Sequence, residues 1–577
     1  MFLAIEAGLA VLALVLAFAV PDLGSRWFAA LERTLGNLAR QRSLSIVTVG
    51  LSALSLRVAL LPILPLPVPG VSDEFGYLLL SDTFAHGRLT NPTSPMWVHF
   101  ENSTILWQPT YTAKYWPAQG VFMAAGQVVM GHPFWGVWLS IGMMCAAITW
   151  MLQAWVGEEW ALLGGFLAVI RFGAFNYWAN SYWGGAVAAI GGALVLGALP
   201  RLKQGHRVRN ALLMGLGFSI LATSRPYEGL FFGIPVAAAL LAWLWRLKLP
   251  ELVHVLRRAV VPFLAVIAIT LVGMGYYFWR TTRSPFIAPY FVYEHTYNPV
   301  PYFPWQSVRP IPASHHTHLQ RFVMTTLNGF YKPTQTLEGL VAGTLTRLGI
   351  IGSFYFGAVF MLPLLFAIGI LPLGFSWRKL SINTRLLLAV SATVILANLL
   401  PIGYLPHYTS PITCAILALV LVAMRRIQAF EWQGKPSGLF INRAVPSICV
   451  LLLVLRVALP GWAKNRIPDW CYLTASNNRR AEVLWKLRKY PGPQLAIVHH
   501  NPDMDEGFDG WVFNRADLHS AKVIWAHDMG PEKNRELIDY FRGRKVWLVD
   551  GDSTPPKLLP YSEATESESS AERQAGP

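Results

Sequence analysis

The stretch "AIEAGLAVLALVLAFAV" (residues 4–20) contains seventeen residues and a single charge, that of Glu6. A helix of about 20 such residues crosses the hydrocarbon core of a bilayer. No basic cluster precedes the stretch, and an acidic residue is unusual in a signal peptide, so we expect a retained helix and not a cleaved leader. This segment therefore predicts a membrane-embedded helix near the start of the sequence.

Similar apolar blocks recur along the chain, which has 577 residues, of which 54% are hydrophobic and 14% are charged. That composition is too apolar for a soluble protein and predicts a mainly α-helical, polytopic membrane protein. Two of the blocks are short, so the helix number carries an error of about two. The twelve predicted spans are 2–20, 44–68, 133–155, 159–176, 183–200, 210–223, 228–245, 259–279, 346–373, 385–402, 408–424 and 444–460.

The net charge of +16 reports topology. Residues 461–577 carry 16 Lys+Arg and 17 Asp+Glu, which leaves 31 Lys+Arg against 14 Asp+Glu in residues 1–460. Nineteen of those 31 basic residues fall in five short connections between spans. Short basic loops face the cytoplasm, so both termini are predicted outside, and a nucleic-acid partner is not expected. The five connections are 21–43, 201–209, 246–258, 376–385 and 425–443.

This topology predicts four parts. Residues 1–43 form an extra helix and a basic cytoplasmic loop, and residues 44–460 form the membrane domain, with long outside loops at 69–117 and 280–345. Residues 461–560 contain "QLAIVHH", "AKVIWAHD" and "RKVWLVDGD", which are typical of short strands, and "PEKNRELIDYF", which is typical of a helix. We therefore expect a small extracytoplasmic α/β domain there, and a disordered tail at 561–577.

Cysteines indicate neither a disulfide framework nor a metal knuckle. Cys145, Cys414 and Cys449 lie in apolar blocks, and Cys471 lies outside them.

An acidic pair occupies the first outside loop, in "VSDEFGYLLLSDTFAHGRL" (residues 71–89). Asp73 and Glu74 follow a predicted span closely, where a carboxylate is costly unless it is paired or used. One interpretation is structural, because Asp is a favoured helix N-cap. The other is functional, because capping needs only one of the two acids. The residue types alone leave both interpretations open.

Further polar and aromatic residues occur where the other outside turns meet the membrane. If the predicted topology holds, they gather at one membrane face. Singly, an arginine there is more often an interfacial anchor, and Tyr and Trp more often form an aromatic belt. Together they suit transfer of a group from a lipid-linked phosphate, with a carboxylate as base and cations stabilising the leaving phosphate. The predicted donor-phosphate and substrate-binding residues are Lys114, Tyr115, Arg171, Arg225, Glu228, His407 and Tyr408.

Four of these motifs resemble those of the C-superfamily of integral-membrane glycosyltransferases, notably the protein O-mannosyltransferases and the lipid A aminoarabinose transferase. The acidic pair is similar to the early motif of that group. "KYWPAQG" (114–120) resembles its Lys-Tyr-Pro-Pro segment, "SRPYEG" (224–229) its Thr-Arg-Pro-Glu turn, and "PHYTSP" (406–411) its late His-Tyr segment. The resemblance covers roughly residues 44–424. This chain departs from the pattern by Trp116, by one additional residue in Arg-Pro-Tyr-Glu and by the extra first helix.

The resemblance implies an inverting enzyme that uses a polyprenyl-phosphate sugar and binds no nucleotide. Asp73 would then be the catalytic base, with Glu74 as the second choice or as a metal or substrate contact. Lys114, Arg225 and His407 would hold the donor phosphate. The acceptor is an unknown glycan, lipid or protein, and the expected location is a bacterial inner membrane, with the active site outside the cytoplasm.

No metal ligand is assigned, although a divalent metal is left open as a cofactor. His315, His316 and His318 in "SHHTHLQ" suit either a metal or a solvated loop, because their spacing is not diagnostic. The acidic stretch 503–509 suits either calcium or a polar turn, because its spacing does not match an EF-hand.

Two other function classes remain. A transporter or lipid flippase would show internal repeats and polar groups near the bilayer midplane. A non-catalytic scaffold would use residues 461–577 to recruit an envelope partner and would not need the acidic pair.

Overall fold

The computed structural model describes residues 2–102, 104–205, 207–311, 314–369, 380–459, 478–499 and 510–561. Cys471, the acidic stretch 503–509 and residues 562–577 of the predicted tail lie outside the described residues. The chain divides into two compact units. The helical unit comprises Met1–Pro67, Phe134–Gly273 and Leu337–Leu473, and the mixed unit comprises Val68–Pro133, Met274–Thr336 and Thr474–Pro577.

Helices dominate the chain and are numbered in chain order. They are α1 (Phe2–Ala19), α2 (Ser25–Arg40), α3 (Arg42–Ala59), α4 (Ser72–Ala85), α5 (Pro117–Met130), α6 (Phe134–Trp155), α7 (Glu158–Phe172), α8 (Ala186–Gln204), α9 (Arg207–Ser224), α10 (Pro226–Leu244), α11 (Leu249–Val255), α12 (Val261–Thr282), α13 (Pro289–Thr296), α14 (Thr317–Thr326), α15 (Leu337–Ile351), α16 (Gly357–Gly369), α17 (Ile382–Leu399), α18 (Thr413–Ile427), α19 (Ser437–Ala458), α20 (Asn478–Lys489) and α21 (Pro531–Tyr540).

Each of the twelve predicted spans overlaps one or two of these helices. Within the described residues, ten helical segments are long and apolar enough to cross a membrane. The two predicted spans that are missing from these ten correspond to α7, which has only 15 residues, and to α9, which has two arginines among its first three residues. The prediction of a mainly helical, multi-pass membrane protein is therefore confirmed.

In the helical unit, a short turn of helix, Pro406–Ile412, leads into α18 and packs closely on α8. The approach depends on Gly192, because a Cβ there would overlap the carbonyl group of Pro411. Tyr355 also holds this turn, since its hydroxyl donates to the carbonyl oxygen of Pro406 at 2.9 Å. These contacts fix the position of His407, one of the predicted site residues.

The mixed unit contains a four-stranded sheet formed by β3 (Gln494–His499), β4 (Val523–His527), β5 (Lys545–Asp550) and β6 (Lys557–Pro560), in the order β4-β3-β5-β6. The first three strands are parallel, and β6 pairs antiparallel with β5. The central strand β3 is buried except at its last residue, as expected for a parallel strand covered on both faces. The small C-terminal α/β region is therefore confirmed, with β6 as an additional strand.

A two-stranded ribbon in the same unit positions the end of the first long loop. It consists of β1 (Ile105–Leu106) and β2 (Thr112–Ala113), with Ile105 opposite Ala113. The hydroxyl of Thr104, just before β1, donates to the carbonyl oxygen of Ser72 in the first turn of α4 at 3.3 Å. Residues that follow β2 are thereby held near the N-terminus of α4.

Candidate active site

The two acids of the predicted pair have different surroundings. Glu74 is only 2% exposed, and its carboxylate accepts hydrogen bonds from the backbone N–H groups of Gly70 at 2.6 Å and Val71 at 3.2 Å. A glutamate in the first turn that reaches back to N–H groups ahead of the helix forms half of a capping box. Glu74 therefore closes the N-terminus of α4. A direct catalytic or substrate-binding role for Glu74 stays a prediction.

Asp73, by contrast, is half-buried and accepts a hydrogen bond at Oδ1 from the hydroxyl of Tyr115. The Tyr115 ring also stacks on Tyr77, with 4.5 Å between the ring centroids. Gly76 makes room for this ring, because a Cβ at that position would overlap it. Burial, reinforced by the charge of Asp73, raises the pKa of Tyr115 well above its usual value. The phenol of Tyr115 therefore stays protonated, and the hydrogen bond that it donates orients the Asp73 carboxylate.

Lys114 brings a positive charge to the same cluster. Its Nζ lies 3.9 Å from the ring centroid of Tyr293 and 5.4 Å from that of Tyr115. Burial acts to lower the pKa of Lys114, but Tyr293, Asp73 and Glu294 more than offset it, so that the pKa lies above its ordinary value. Lys114 is therefore a cation at neutral pH, held among acids and aromatic rings.

Glu294, on α13, completes this cluster and was not found from the sequence. Its carboxylate accepts from Nδ2 of Asn298 at 3.0 Å and pairs with Arg309 at 3.3 Å. Burial raises the pKa of Glu294, and the favourable effects of Lys114, Asn298 and Arg309 only partly oppose it. The cluster thus contains two carboxylates in unlike surroundings. We call Asp73, Lys114, Tyr115, Tyr293 and Glu294 the acid–lysine cluster.

The helical unit holds a second set of predicted residues. The Arg225 guanidinium, directly before α10, lies 4.6 Å from the ring centroid of Tyr408. His407 is 2% exposed, and its Nδ1 is 2.7 Å from the hydroxyl of Tyr177. Glu228 is also buried, in the first turn of α10. Two turns of the helical unit thus carry four of the predicted site residues, Arg225, Glu228, His407 and Tyr408. Their contact with substrate stays a prediction.

Arg171, in α7 of the helical unit, contacts other parts of that unit. Its guanidinium pairs with Glu6 at 3.3 Å and donates to the carbonyl oxygens of Ser353 at 2.7 Å and Phe354 at 3.0 Å. Arg171 is 4% exposed and Glu6 is 1% exposed. These contacts join α1 and α7 to the helical turn that follows α15, Gly352–Phe356. A role of Arg171 in substrate binding stays a prediction, and its surroundings are those of a structural ion pair.

One group of histidines in the mixed unit could hold a metal. His316, His318 and His527 each present a possible ligand atom, and all three atoms lie within 4.8 Å of one another. His315, the first histidine of the sequence motif, points elsewhere, with its Nδ1 2.9 Å from a carboxylate oxygen of Glu101. The motif thus supplies two members of the group. The third, His527, comes from β4 and was not found from the sequence.

Comparisons with solved structures return distant likenesses to two kinds of membrane transferase. AglB, an archaeal oligosaccharyltransferase from Archaeoglobus fulgidus in complex with an inhibitory peptide and a dolichol-phosphate, aligns over 88% of this chain and 69% of its own, with 11% identity and a TM-score of 0.46. The Archaeoglobus fulgidus oligosaccharyltransferase in complex with Zn and sulfate aligns over 88% and 67%, with 12% identity and a TM-score of 0.44. ArnT from Cupriavidus metallidurans, bound to undecaprenyl phosphate, aligns over 88% and 92%, with 14% identity and a TM-score of 0.44.

Both kinds of protein belong to the superfamily that the sequence motifs resemble. The likenesses are too distant to give any residue of this chain a role. No protein-family model matches the chain, and a search of curated proteins returns no match.

Proposed function

We propose that this chain is an integral-membrane glycosyltransferase that moves a sugar from a polyprenyl-phosphate donor to an extracytoplasmic acceptor. The observation that carries the proposal is the acid–lysine cluster, in which Tyr115 orients the Asp73 carboxylate and Lys114 supplies a cation. A base and a fixed positive charge are what a transfer with a phosphate leaving group requires.

In the proposed reaction, the acceptor hydroxyl oxygen attacks the anomeric carbon of the donor sugar. The bond from that carbon to the phosphate oxygen breaks, and the polyprenyl phosphate departs with the bonding electron pair. Asp73 takes the hydroxyl proton, and Lys114 offsets the negative charge that develops on the phosphate. A single displacement of this kind inverts the configuration at the anomeric carbon.

We assign Glu74 a positioning role in this scheme. Its two backbone hydrogen bonds fix the first turn of α4, and that turn carries Asp73. Arg225, His407 and Tyr408 are proposed to bind the donor, because an arginine, an imidazole and an aromatic ring suit a phosphate joined to a sugar. Glu228 is proposed to assist them as a substrate contact.

A transporter or lipid flippase is the alternative, and it predicts charged groups that serve a path through the spans. Two of the described arginines inside the helical unit have internal partners instead. Arg57 donates to the carbonyl oxygens of Leu64 at 2.9 Å and Ala179 at 3.3 Å, and Arg171 pairs with Glu6. Such contacts are typical of ionisable groups that hold helices together, so these residues give the alternative no support.

Mass spectrometry of envelope glycolipids, glycans and proteins, from cells with and without this chain, tests the proposed function. We expect one sugar mass to disappear from one acceptor class when the chain is absent, and the unmodified acceptor to accumulate. The mass that disappears identifies the sugar, and its carrier identifies the acceptor. Unchanged profiles in all three classes would overturn the proposal.

A further inference from the structure

Three imidazoles from distant parts of the sequence meet in the mixed unit. His316 and His318 lie at the start of α14, and His527 is the last residue of β4. The ring centroids are 4.4 Å apart for His318 and His527, 4.5 Å for His316 and His527, and 5.2 Å for His316 and His318. His316 is 7% exposed and His527 is 3% exposed.

Backbone carbonyl groups fix the tautomers of two of these rings. Nε2 of His316 is 2.7 Å from the carbonyl oxygen of Val98, and Nε2 of His527 is 2.9 Å from that of Glu101. A carbonyl oxygen only accepts hydrogen bonds, so each Nε2 carries the proton. In the neutral ring the lone pair is then on Nδ1. Metal-bound histidines have this arrangement, in which one ring nitrogen donates to a carbonyl group and the other binds the ion.

The type of ligand atom determines which metal ion the site prefers. Three neutral imidazole nitrogens suit Zn²⁺, whereas Mg²⁺ and Ca²⁺ prefer oxygen ligands. A tetrahedral site with Zn–N bonds of about 2.0–2.1 Å places its ligand atoms about 3.3 Å apart. The ligand atoms here lie within 4.8 Å of one another, so they need to approach by at most about 1.5 Å. The fourth position would be taken by water.

A buried carboxylate lies in the same surroundings. The backbone carbonyl of Glu101 accepts from His527, and the Glu101 side chain, which is 4% exposed, contacts Nδ1 of His315 at 2.9 Å. Glu101 therefore contacts both His527 and the histidine that directly precedes His316.

We propose that His316, His318 and His527 bind one Zn²⁺, which fastens the start of α14 to the end of β4. The ion would hold the second long loop to the C-terminal sheet, within one unit. This site shares no residue with the acid–lysine cluster, and its existence does not depend on the proposed glycosyl transfer.

The test uses the purified full chain in detergent, freed of metal with a chelator and then given ZnCl₂. We expect about one Zn²⁺ per chain by elemental analysis. In competition with a chromophoric chelator, His316→Ala and His527→Ala should each weaken the affinity for Zn²⁺ by at least about tenfold. His519→Ala is the matched control, since His519 is an exposed histidine of the same unit, and it should bind like the wild type.

Two further measurements keep the proposal testable if the His316→Ala or His527→Ala variant fails to fold. His318 is only half-buried, so His318→Ala should stay folded and still lose affinity. X-ray absorption at the zinc edge of the wild-type protein should show about three nitrogen neighbours near 2.0 Å. Sub-stoichiometric zinc, zinc retained by all three variants, or a shell of oxygen alone would each overturn the proposal.

Discussion

The hydroxyl of Tyr115 donates a hydrogen bond to the Asp73 carboxylate, while the carboxylate of the next residue, Glu74, turns back to the backbone. Of these two adjacent acids, Asp73 thus presents an oriented side chain, and Glu74 caps the helix. The division follows from helix geometry, because neighbouring side chains on a helix point about 100° apart. It also gives the two acids separable mutational signatures.

Substitution of Glu74 distinguishes a cap from a catalytic acid. Glu74→Gln keeps an oxygen that accepts from the Gly70 and Val71 N–H groups, and glutamine is an accepted member of the capping box. We expect this variant to keep its transfer rate within about tenfold of wild type. Glu74→Ala should lower the free energy of unfolding by about 1 kcal/mol. Steady-state kinetics and chemical denaturation provide the two readouts, and a Glu74→Gln variant that folds but is inactive would contradict the positioning role.

Lys114 is expected to act on the leaving phosphate. Lys114→Gln should lower kcat by about 10²–10³, the usual cost of removing one group that stabilises transition-state charge. The matched control is Lys332→Gln, which removes an exposed lysine of the same unit and should leave kcat unchanged. The assignment is wrong if kcat is unaffected at saturating donor.

The buried carboxylate of Glu294 is expected to make the stability of the folded protein depend on pH. Burial raises its pKa in the folded protein, so between the ordinary and the raised pKa the folded state binds more protons than the unfolded state. Stability contributed by this group must then fall as pH rises through that interval. Glu294→Gln, which is neutral at every pH, should remove that part of the decline. Melting temperatures of both proteins across the acidic range measure the effect, and parallel profiles would contradict it.

The Glu6–Arg171 pair is predicted to be structural. Removing one partner leaves a buried charge, so Arg171→Met alone should destabilise the protein by about 3–5 kcal/mol. The double variant Glu6→Leu/Arg171→Met removes both charges and should recover most of the loss. If the double variant regains stability but binds donor poorly, Arg171 also contacts substrate, as the sequence predicted. A single variant of wild-type stability would refute the structural role.

The spans were predictable because insertion into lipid depends on runs of apolar residues, which a single sequence displays directly. The strands β3, β4 and β5 were predictable for a related reason, since each is a short apolar run between turn residues. The exposed edge strand β6 was missed because its four residues, "KLLP", are too few to show a period. Helix α2 was also missed, because its apolar residues are interleaved with charges within a short basic loop.

Contacts between side chains were harder to predict from the sequence than the spans and strands. Nothing in the sequence around Glu294 or His527 marks them, because Lys114 lies 180 residues before Glu294, and His316 and His318 lie more than 200 residues before His527. Lys114 and Glu294 meet only once the two long loops fold together in the mixed unit. The choice between Asp73 and Glu74 as the cap was similarly undecidable, since it depends on which side chain turns back toward Gly70.

The central claim is that Asp73 is the base of a glycosyl transfer that releases polyprenyl phosphate. The most direct test measures how fast the purified protein in detergent releases polyprenyl phosphate. The substrate is lipid-linked sugar extracted from the source membranes, and acceptor is present. Transport across a bilayer cannot contribute to this signal. We predict that Asp73→Asn lowers the rate by about 10²–10⁴ while retaining the wild-type melting temperature. The control Asp539→Asn, which alters an exposed aspartate of α21 in the same unit, should leave the rate unchanged. A folded Asp73→Asn protein that releases polyprenyl phosphate at the wild-type rate would contradict the account.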